Sequence, residues 1–142
     1  MKRIPGVKSV MTPFPYSIGI DEPLDRAIEM MHQHDFRHLP VMKKGELVGV
    51  LSEPLLRQVT DRAEGSDPAA TVSDIRVNEA FIVELDERLD RVVLAMAERH
   101  LDSALVVKDG RLAGIFTTTD ACRYLGEILR AEFPGYNGNE VA

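Results

Sequence analysis

The stretch LPVMKKGELVGVLS at residues 39–52 returns, in altered form, as ALVVKDGRLAGIFT at residues 104–117. Each copy holds two apolar runs joined by a short polar segment with a glycine, a pattern typical of two strands and a tight turn. The second copy has Asp-Gly in that segment, and glycine supplies the positive φ angle that a tight hairpin turn needs. The sequence therefore predicts one β-hairpin in each copy.

The repetition extends beyond the hairpins. A shift of 65 residues aligns the two halves of the chain without a gap, and residues 21–52 match residues 86–117 at 11 of 32 positions. Unrelated segments of average composition give roughly two matches over such a length. Because Asp, Arg and two Gly fall at matching positions, a shared secondary structure does not explain the similarity. The chain is a duplication.

Each half also contains a leading strand and two helices by pattern. PYSIGI and AFIVEL are short apolar runs typical of strands, and apolar residues recur at helical spacing after each of them. Asp21 and Asp86 stand where an N-cap is expected, with Pro23 in the first turn of its helix. Second helices are predicted at about 53–62 and about 118–131. Each half is therefore predicted to be strand, helix, strand, strand, helix.

Two such halves predict an α+β fold of two β-α-β-β-α repeats packed with pseudo-twofold symmetry. A half of about 60 residues is marginal alone, and two halves can cover each other's apolar sheet face. We expect a cleft where the sheets meet. The predicted segments are a first repeat at 1–62, a linker at 63–71, a second repeat at 72–133 and a frayed tail at 134–142.

Composition narrows the classes of function. The chain has 142 residues and a net charge of −6, which argues against sequence-independent nucleic-acid binding because that needs a basic face. The single cysteine, Cys122, excludes an internal disulfide, and no apolar run reaches the roughly 18 residues that span a bilayer. The N-terminal segment MKRIPGVKSV lacks the apolar stretch of a secretory signal. We expect a cytoplasmic protein without nucleic-acid or membrane partners.

The ordered motifs of the two halves resemble the CBS domain, named after cystathionine beta-synthase and found in tandem pairs called Bateman modules. The matching motifs are V-x-x-V-M-T at 7–12, R-H-L-P-V at 37–41, G-x-L-V-G-V-L-S at 45–52 and G-I-F-T-x-x-D at 114–120. The resemblance covers about residues 5–131, and the chain is similar to a free-standing CBS pair. It implies a non-enzymatic regulatory module that binds an adenosine-containing ligand, such as AMP, ADP or ATP, and alters a partner's activity.

The resemblance also implies the residues of the ligand site. Asp120 is expected to accept hydrogen bonds from the ribose hydroxyls, and Thr117 to lie near the ribose or the phosphate. A vicinal diol offers two donors, which one ionised carboxylate can accept. Arg37 and His38, from the first repeat, are expected to reach the phosphates. The adenine contacts are expected at Ile82, Val83 and Ala104.

Each of these residues also has a plain structural role open to it. Thr117 or Asp120 can cap the following helix, and capping and ribose binding can coexist. Arg37 and His38 can lie on a solvated strand edge or pair with a carboxylate, and the three adenine contacts can equally be core residues. In the first repeat Leu55 replaces the aspartate, and leucine accepts no hydrogen bond. We therefore expect one good ligand site and not two.

Two other functions stay open. One is an oligomerisation or docking module with a degenerate, empty ligand site, which the loss of the aspartate in the first repeat favours. The other is a small enzyme such as a nucleotide hydrolase, for which the sequence offers no paired base and nucleophile. The histidines form no recognisable zinc pattern, so no metal is expected apart from magnesium carried by a triphosphate. The resemblance further implies a homodimer formed through helices and an unknown regulated partner.

Overall fold

Two sheets, each packed against two helices, make up the fold. The computed structural model describes residues 3–13, 15–62, 70–75 and 77–135. The strands are β1 (Thr12–Pro13), β2 (Ile18–Gly19), β3 (His38–Lys43), β4 (Glu46–Ser52), β5 (Ile82–Glu84), β6 (Ser103–Lys108) and β7 (Arg111–Thr117). The helices are α1 (Leu24–His34), α2 (Glu53–Arg62), α3 (Leu89–Arg99) and α4 (Thr118–Glu132), with 3-10 turns at Val7–Ser9 and Val72–Asp74.

Both halves show the predicted strand, helix, strand, strand, helix order, so the α+β fold is confirmed. Residues 63–69 of the predicted linker and 136–142 of the predicted tail lie outside the described residues. Among the helices that the structure describes, none combines the length and the apolarity needed to cross a membrane.

The two hairpins form the centre of the sheets. β3 pairs antiparallel with β4, and β6 pairs antiparallel with β7, as the repeated stretch predicts. Both turns place two consecutive residues in the left-handed region, Lys44-Gly45 in one and Asp109-Gly110 in the other. That combination is the type I′ turn, which suits the twist of the flanking strands. β2 and β5 then add in parallel, because α1 and α3 return the chain to the same edge.

The leading segment of each half crosses to the other half. β1 pairs antiparallel with β7, with Thr12 opposite Ile115. In the second half Asn78, which corresponds to Pro13, bridges to Val50 in β4. The sheets are therefore ordered β2-β3-β4 and β1-β7-β6-β5, and the second contains a strand from the first half. The sequence pattern did not predict this exchange.

Two backbone hydrogen bonds between the halves are related by the same pseudo-twofold symmetry. The N–H of Val7 donates to the carbonyl of Glu87 at 2.9 Å, and the N–H of Val72 donates to the carbonyl of Glu22 at 3.0 Å. Donors and acceptors are both related by the shift of 65 residues that aligns the sequences. The duplicated sequence therefore folds with pseudo-twofold symmetry, and each half completes the other.

The apolar core is divided in the same way. One cluster surrounds Leu51 and includes Val72 from the second half, and the other surrounds Phe116 and includes Val7 from the first half. These four side chains are fully buried. A third cluster, which joins the two sheets, consists of Val50, Leu105 and Ile115. Neither half has a complete core of its own.

Helices α1 and α3 begin later than the sequence predicts. Their N-cap residues are Pro23 and Arg88, and neither side chain makes a capping hydrogen bond. Asp21 and Asp86 lie in the turn that precedes each helix. The prediction that these two aspartates cap the helices, with Pro23 inside the first turn, is therefore wrong.

Backbone from outside the half that contains the helix replaces the side-chain cap, from the linker for α1 and from the first half for α3. The N–H of Leu24 donates to the carbonyl of Ala70 at 2.9 Å, and the N–H of Leu89 donates to the carbonyl of Pro5 at 2.9 Å. A free amide at a helix start needs an acceptor, and a long-range carbonyl serves as well as a nearby aspartate. Local sequence spacing cannot show such a partner.

Candidate ligand site

A cavity of about 780 Å³ opens between the two halves. This volume lies within the range of about 300–1,000 Å³ that is usual for small-molecule sites. The first half contributes its leading segment and the junction of α1 with β3, and the second half contributes β7 and the start of α4. The lining residues are Thr12, Pro13, Pro15, Tyr16, His34, Asp35, Phe36, Arg37, His38, Ile115, Thr117, Thr119, Asp120 and Arg123.

The structure brings together four of the seven residues singled out in the sequence. Thr117 and Asp120 come from the second half, and Arg37 and His38 come from the first half. They meet because β1 pairs with β7 and draws the first half against the start of α4. The candidate carboxylate and the candidate cations therefore share one cavity.

The three expected adenine contacts lie elsewhere. Val83 and Ala104 are buried in the second core cluster, and Ile82 is 48% exposed on β5. None of them lines the cavity. The family resemblance alone implied these three residues. The exchange instead places residues from the leading segment of the first half beside Asp120, among them Tyr16.

Thr117 and Asp120 form a capping box at the start of α4. Thr117 Oγ1 accepts from the N–H of Asp120 at 3.3 Å, and Asp120 Oδ2 accepts from the N–H of Thr117 at 2.9 Å. The Thr117 hydroxyl also donates to Oδ2 at 3.1 Å. The capping role that the sequence leaves open is therefore confirmed. It fixes the carboxylate through Oδ2, and Oδ1 takes no part in the cap.

Arg123 lies one turn further along α4 and was missed in the sequence. Its Nη1 atom is 3.4 Å from Asp120 Oδ1. The Arg123 side chain is 65% exposed, whereas that of Asp120 is 11% exposed. The i, i+3 spacing from Asp120 is the signal that could have found it, because residues three apart share a helix face. The matching residue in the first half is Gln58.

His38 is a half-buried histidine close to several charges. Burial lowers the pKa of His38 below its usual value of 6.5, and Arg37 lowers it further, whereas the carboxylates of Asp102 and Asp120 raise it. The lowering dominates, so the imidazole is mostly neutral at pH 7. An anion bound beside it would favour the protonated form.

We expect the stability of the protein to fall as the pH drops from about 7.5 to about 5.5. Because the pKa of His38 is lower in the folded state than in the unfolded chain, the unfolded state binds more protons just below pH 6.5. The contribution of His38 is therefore fully present above that pH and is lost as the pH falls toward the folded pKa. Urea unfolding at the two pH values measures the change in the free energy of unfolding.

Two histidine variants isolate this effect. His38→Gln should remove part of the pH dependence, whereas His32→Gln, at an exposed position on α1, should leave it unchanged. The same pH dependence in the wild type and in His38→Gln would contradict the assignment to His38.

Three aromatic rings stack along one side of the cavity. The Tyr16 and His34 rings are 4.0 Å apart with an interplanar angle of 21°. The Phe36 ring lies 5.8 Å from Tyr16 and 5.7 Å from His34, in nearly the same orientation. In the second half, the matching positions hold Arg99 over Phe81 at 4.9 Å. The wall formed by Tyr16, His34 and Phe36 offers a flat surface against which a planar base can stack.

The polar groups of the cavity suit an organic anion better than a metal ion. Two histidines, His34 and His38, and two carboxylates, Asp35 and Asp120, line it. Over the described ranges of the chain, no three His, Cys, Asp or Glu side chains come together as metal ligands. A carboxylate instead accepts from hydroxyl groups, and a guanidinium donates to phosphate oxygens.

The corresponding place in the first half lacks the acceptor. Ser52 accepts from the N–H of Leu55 at 3.3 Å, so the capping bond is kept. The Leu55 side chain packs against the first core cluster instead of offering an oxygen. Glu53, the nearest carboxylate, forms an ion pair with Arg57. The two halves therefore share a helix start but differ in the group that a hydroxyl-bearing ligand needs.

Comparison with known proteins identifies the family. The family model of the CBS domain matches residues 7–54 and 72–127, more than half of the chain. Hypoxic response protein 1 of Mycobacterium tuberculosis is 27% identical over 118 residues, which cover 82% of each chain.

Two solved structures have a similar fold. The CBS domain pair of protein MJ0100, in complex with 5′-methylthioadenosine and S-adenosyl-L-methionine, has a TM-score of 0.78 at 23% identity and covers 89% of this chain and 99% of that one. The CBS domain of the bacterial CNNM/CorC family Mg²⁺ transporter, in complex with ATP, has a TM-score of 0.75 at 21% identity and covers 86% and 87%. The chain belongs to the CBS domain family, as a tandem pair of CBS domains.

Proposed function

We propose that this CBS pair binds an adenosine-containing nucleotide in the cavity beside Asp120 and thereby alters the activity of a partner protein. The observation that carries the proposal is the meeting of Asp120 with Arg37 and His38 in one cavity. The carboxylate suits the two hydroxyl groups of a ribose, and the basic side chains suit phosphate. One ligand with both groups would contact both halves of the chain.

The adenine base would lie against the aromatic wall. Tyr16 is 53% exposed, so its ring is accessible to a ligand in the cavity that it lines. The two similar structures support this ligand class, since 5′-methylthioadenosine, S-adenosyl-L-methionine and ATP all contain adenosine. With ATP as the ligand, magnesium would arrive with the triphosphate and not from a site built into the protein.

Regulation would follow from the position of the cavity. A ligand that contacts both halves favours the arrangement in which its contacts are best, and it shifts the population of the protein toward that state. A partner protein that binds a surface formed in this arrangement would then respond to the ligand. This role needs no reaction at the cavity, and we propose a non-enzymatic, cytoplasmic module.

A homodimer is part of the proposal. Leu125, Leu129 and Phe133 follow one another at i, i+4 spacing near the end of α4 and are 56%, 49% and 54% exposed. An apolar cavity of about 410 Å³ lies beside them between α3, α4 and the segment at Ile4. A second copy packed on this surface would cover it, and light scattering of the purified protein would measure the mass.

A panel of ligands tests the proposed function. AMP, ADP, ATP, NADH and S-adenosylmethionine are each added to the purified protein, and the melting temperature is measured. A ligand at about 100 times its dissociation constant stabilises the folded state by about 2.7 kcal/mol, which raises the melting temperature by several degrees. We expect such a rise with at least one nucleotide. No rise with any of the five would favour the alternative, a docking module with an empty site.

A further inference from the structure

We infer that Arg123 makes this site select adenosine ligands that carry a phosphate over uncharged adenosine and over S-adenosylmethionine. The inference rests on the proposed function and adds to it a residue and a ligand class. It starts from the ion pair that Arg123 makes with the carboxylate assigned to the ribose.

Arg123 occupies the side of Asp120 that a ribose needs. Asp120 Oδ2 already accepts two hydrogen bonds, from the N–H and from the hydroxyl of Thr117. The remaining oxygen, Oδ1, lies 3.4 Å from Arg123 Nη1. A ribose diol brings two donors and therefore requires acceptor capacity at Oδ1. The ligand and Arg123 compete for the same oxygen.

The outcome of this competition depends on what else the ligand offers. An uncharged nucleoside displaces Arg123 and gives it no new partner except water. A nucleotide displaces it and offers phosphate oxygens, which the guanidinium fork can bind through two parallel hydrogen bonds. Arg123 can make this move because its side chain is 65% exposed and lines the cavity. A long, exposed ion pair is exchanged for a stronger one only when phosphate is present.

The charges around the cavity favour the same class of ligand. Once Asp120 hydrogen-bonds a ribose, the other charged residues of the lining are Arg37, Arg123 and Asp35, so positive charge exceeds negative charge around the rest of the ligand. This excess attracts phosphate and disfavours the sulfonium cation of S-adenosylmethionine. In the first half, Gln58 stands in place of Arg123 and Leu55 in place of Asp120, so both partners of the ion pair are missing together.

The test compares AMP, adenosine and S-adenosylmethionine by isothermal titration calorimetry. We expect the wild type to bind AMP at least about tenfold more tightly than the other two, the size of effect that one charge-assisted hydrogen bond supplies. Arg123→Gln, which installs the residue of the first half, should weaken AMP binding about tenfold and leave adenosine binding unchanged or tighter. Arg123→Lys, which keeps the charge without the fork, should fall between these two proteins.

Arg130→Gln is the matched control, since it removes an exposed arginine of the same helix that does not line the cavity. It should bind all three ligands like the wild type. An unchanged preference for AMP in Arg123→Gln would overturn the inference and leave the proposed function standing, as would an equal loss of AMP and adenosine binding. A wild type that binds none of the three ligands would overturn the inference, and the proposed function would fall with it if ADP, ATP and NADH also failed to bind.

Discussion

Gly114→Ala is expected to destabilise the protein by about 2 kcal/mol, the middle of the range of about 1–3 kcal/mol for an overfilled site. A Cβ atom on Gly114 would collide with the side chain of Met11 and would lie 2.9 Å from the carbonyl oxygen of Thr12. The Met11 side chain can turn away. Thr12 cannot, because its backbone belongs to β1, which pairs with β7 at this point. The added methyl group therefore pushes the two halves of the chain apart.

The same substitution should weaken ligand binding, since Thr12 and Pro13 line the cavity. Gly126→Ala is the matched control: apart from its chain neighbours and the nearby backbone of α4, no atom of the described residues lies within 4 Å of its added Cβ. Its position in α4 favours alanine over glycine by about 0.5–1 kcal/mol. Urea unfolding measures both variants. A Gly114→Ala protein as stable as the wild type would show that β1 can shift at no cost.

The repeated elements could be predicted because their causes are local. A two-residue turn such as Asp109-Gly110 requires positive φ angles, and alternating apolar runs on either side complete the hairpin. The second helices follow from apolar spacing and begin and end within a residue of prediction. The duplication strengthened each assignment, because the same pattern had to hold twice.

The exchange of leading segments could not be predicted in the same way. β1 has only two residues, both exposed, so no apolar run marks it as a strand, and it lies far along the chain from β7. The exchange is also the reason that Tyr16, from the first half, lines the cavity beside Asp120. The strand glycines Gly49 and Gly114 carried the missing signal, because a glycine inside a strand often marks a close approach of another backbone.

In the candidate site, too, the local features could be predicted and the long-range ones could not. The pairing of Thr117 with Asp120 was predictable, because a hydroxyl and a carboxylate three residues apart at a helix start form a capping box. The side of the cavity formed by Tyr16 and Phe36 was not, because it depends on the exchange. Arg123 could have been identified from helical spacing alone, because it lies three residues after Asp120. Its ion pair with Asp120 connects the capping residue to the charged residues that line the cavity.

Asp120→Ala is expected to abolish the rise in melting temperature that a bound nucleotide causes. The change removes the carboxylate that would accept both ribose hydroxyls, and hydrogen bonds to a charged acceptor contribute about 1.5–3 kcal/mol each. If both bonds are lost, affinity should fall by about 100-fold or more, and the stabilisation of about 2.7 kcal/mol reached at about 100 times the wild-type dissociation constant should fall below about 0.5 kcal/mol. Loss of one bond, about tenfold in affinity, would leave about half of the stabilisation. The residual rise in melting temperature therefore shows whether Asp120 makes one or two hydrogen bonds to the ligand.

Loss of the helix cap must be separated from loss of the ligand. Asp120→Ala also breaks the capping box of α4, which should lower the melting temperature of the free protein by an amount equivalent to about 1 kcal/mol. Asp74→Ala is the matched control, because Asp74 forms a capping box with Thr71 at the other leading segment and does not line the cavity. It should melt earlier without ligand and keep the full ligand-induced rise. If the full rise instead survives in Asp120→Ala, the nucleotide binds elsewhere on the protein, since no capping effect can restore a missing acceptor.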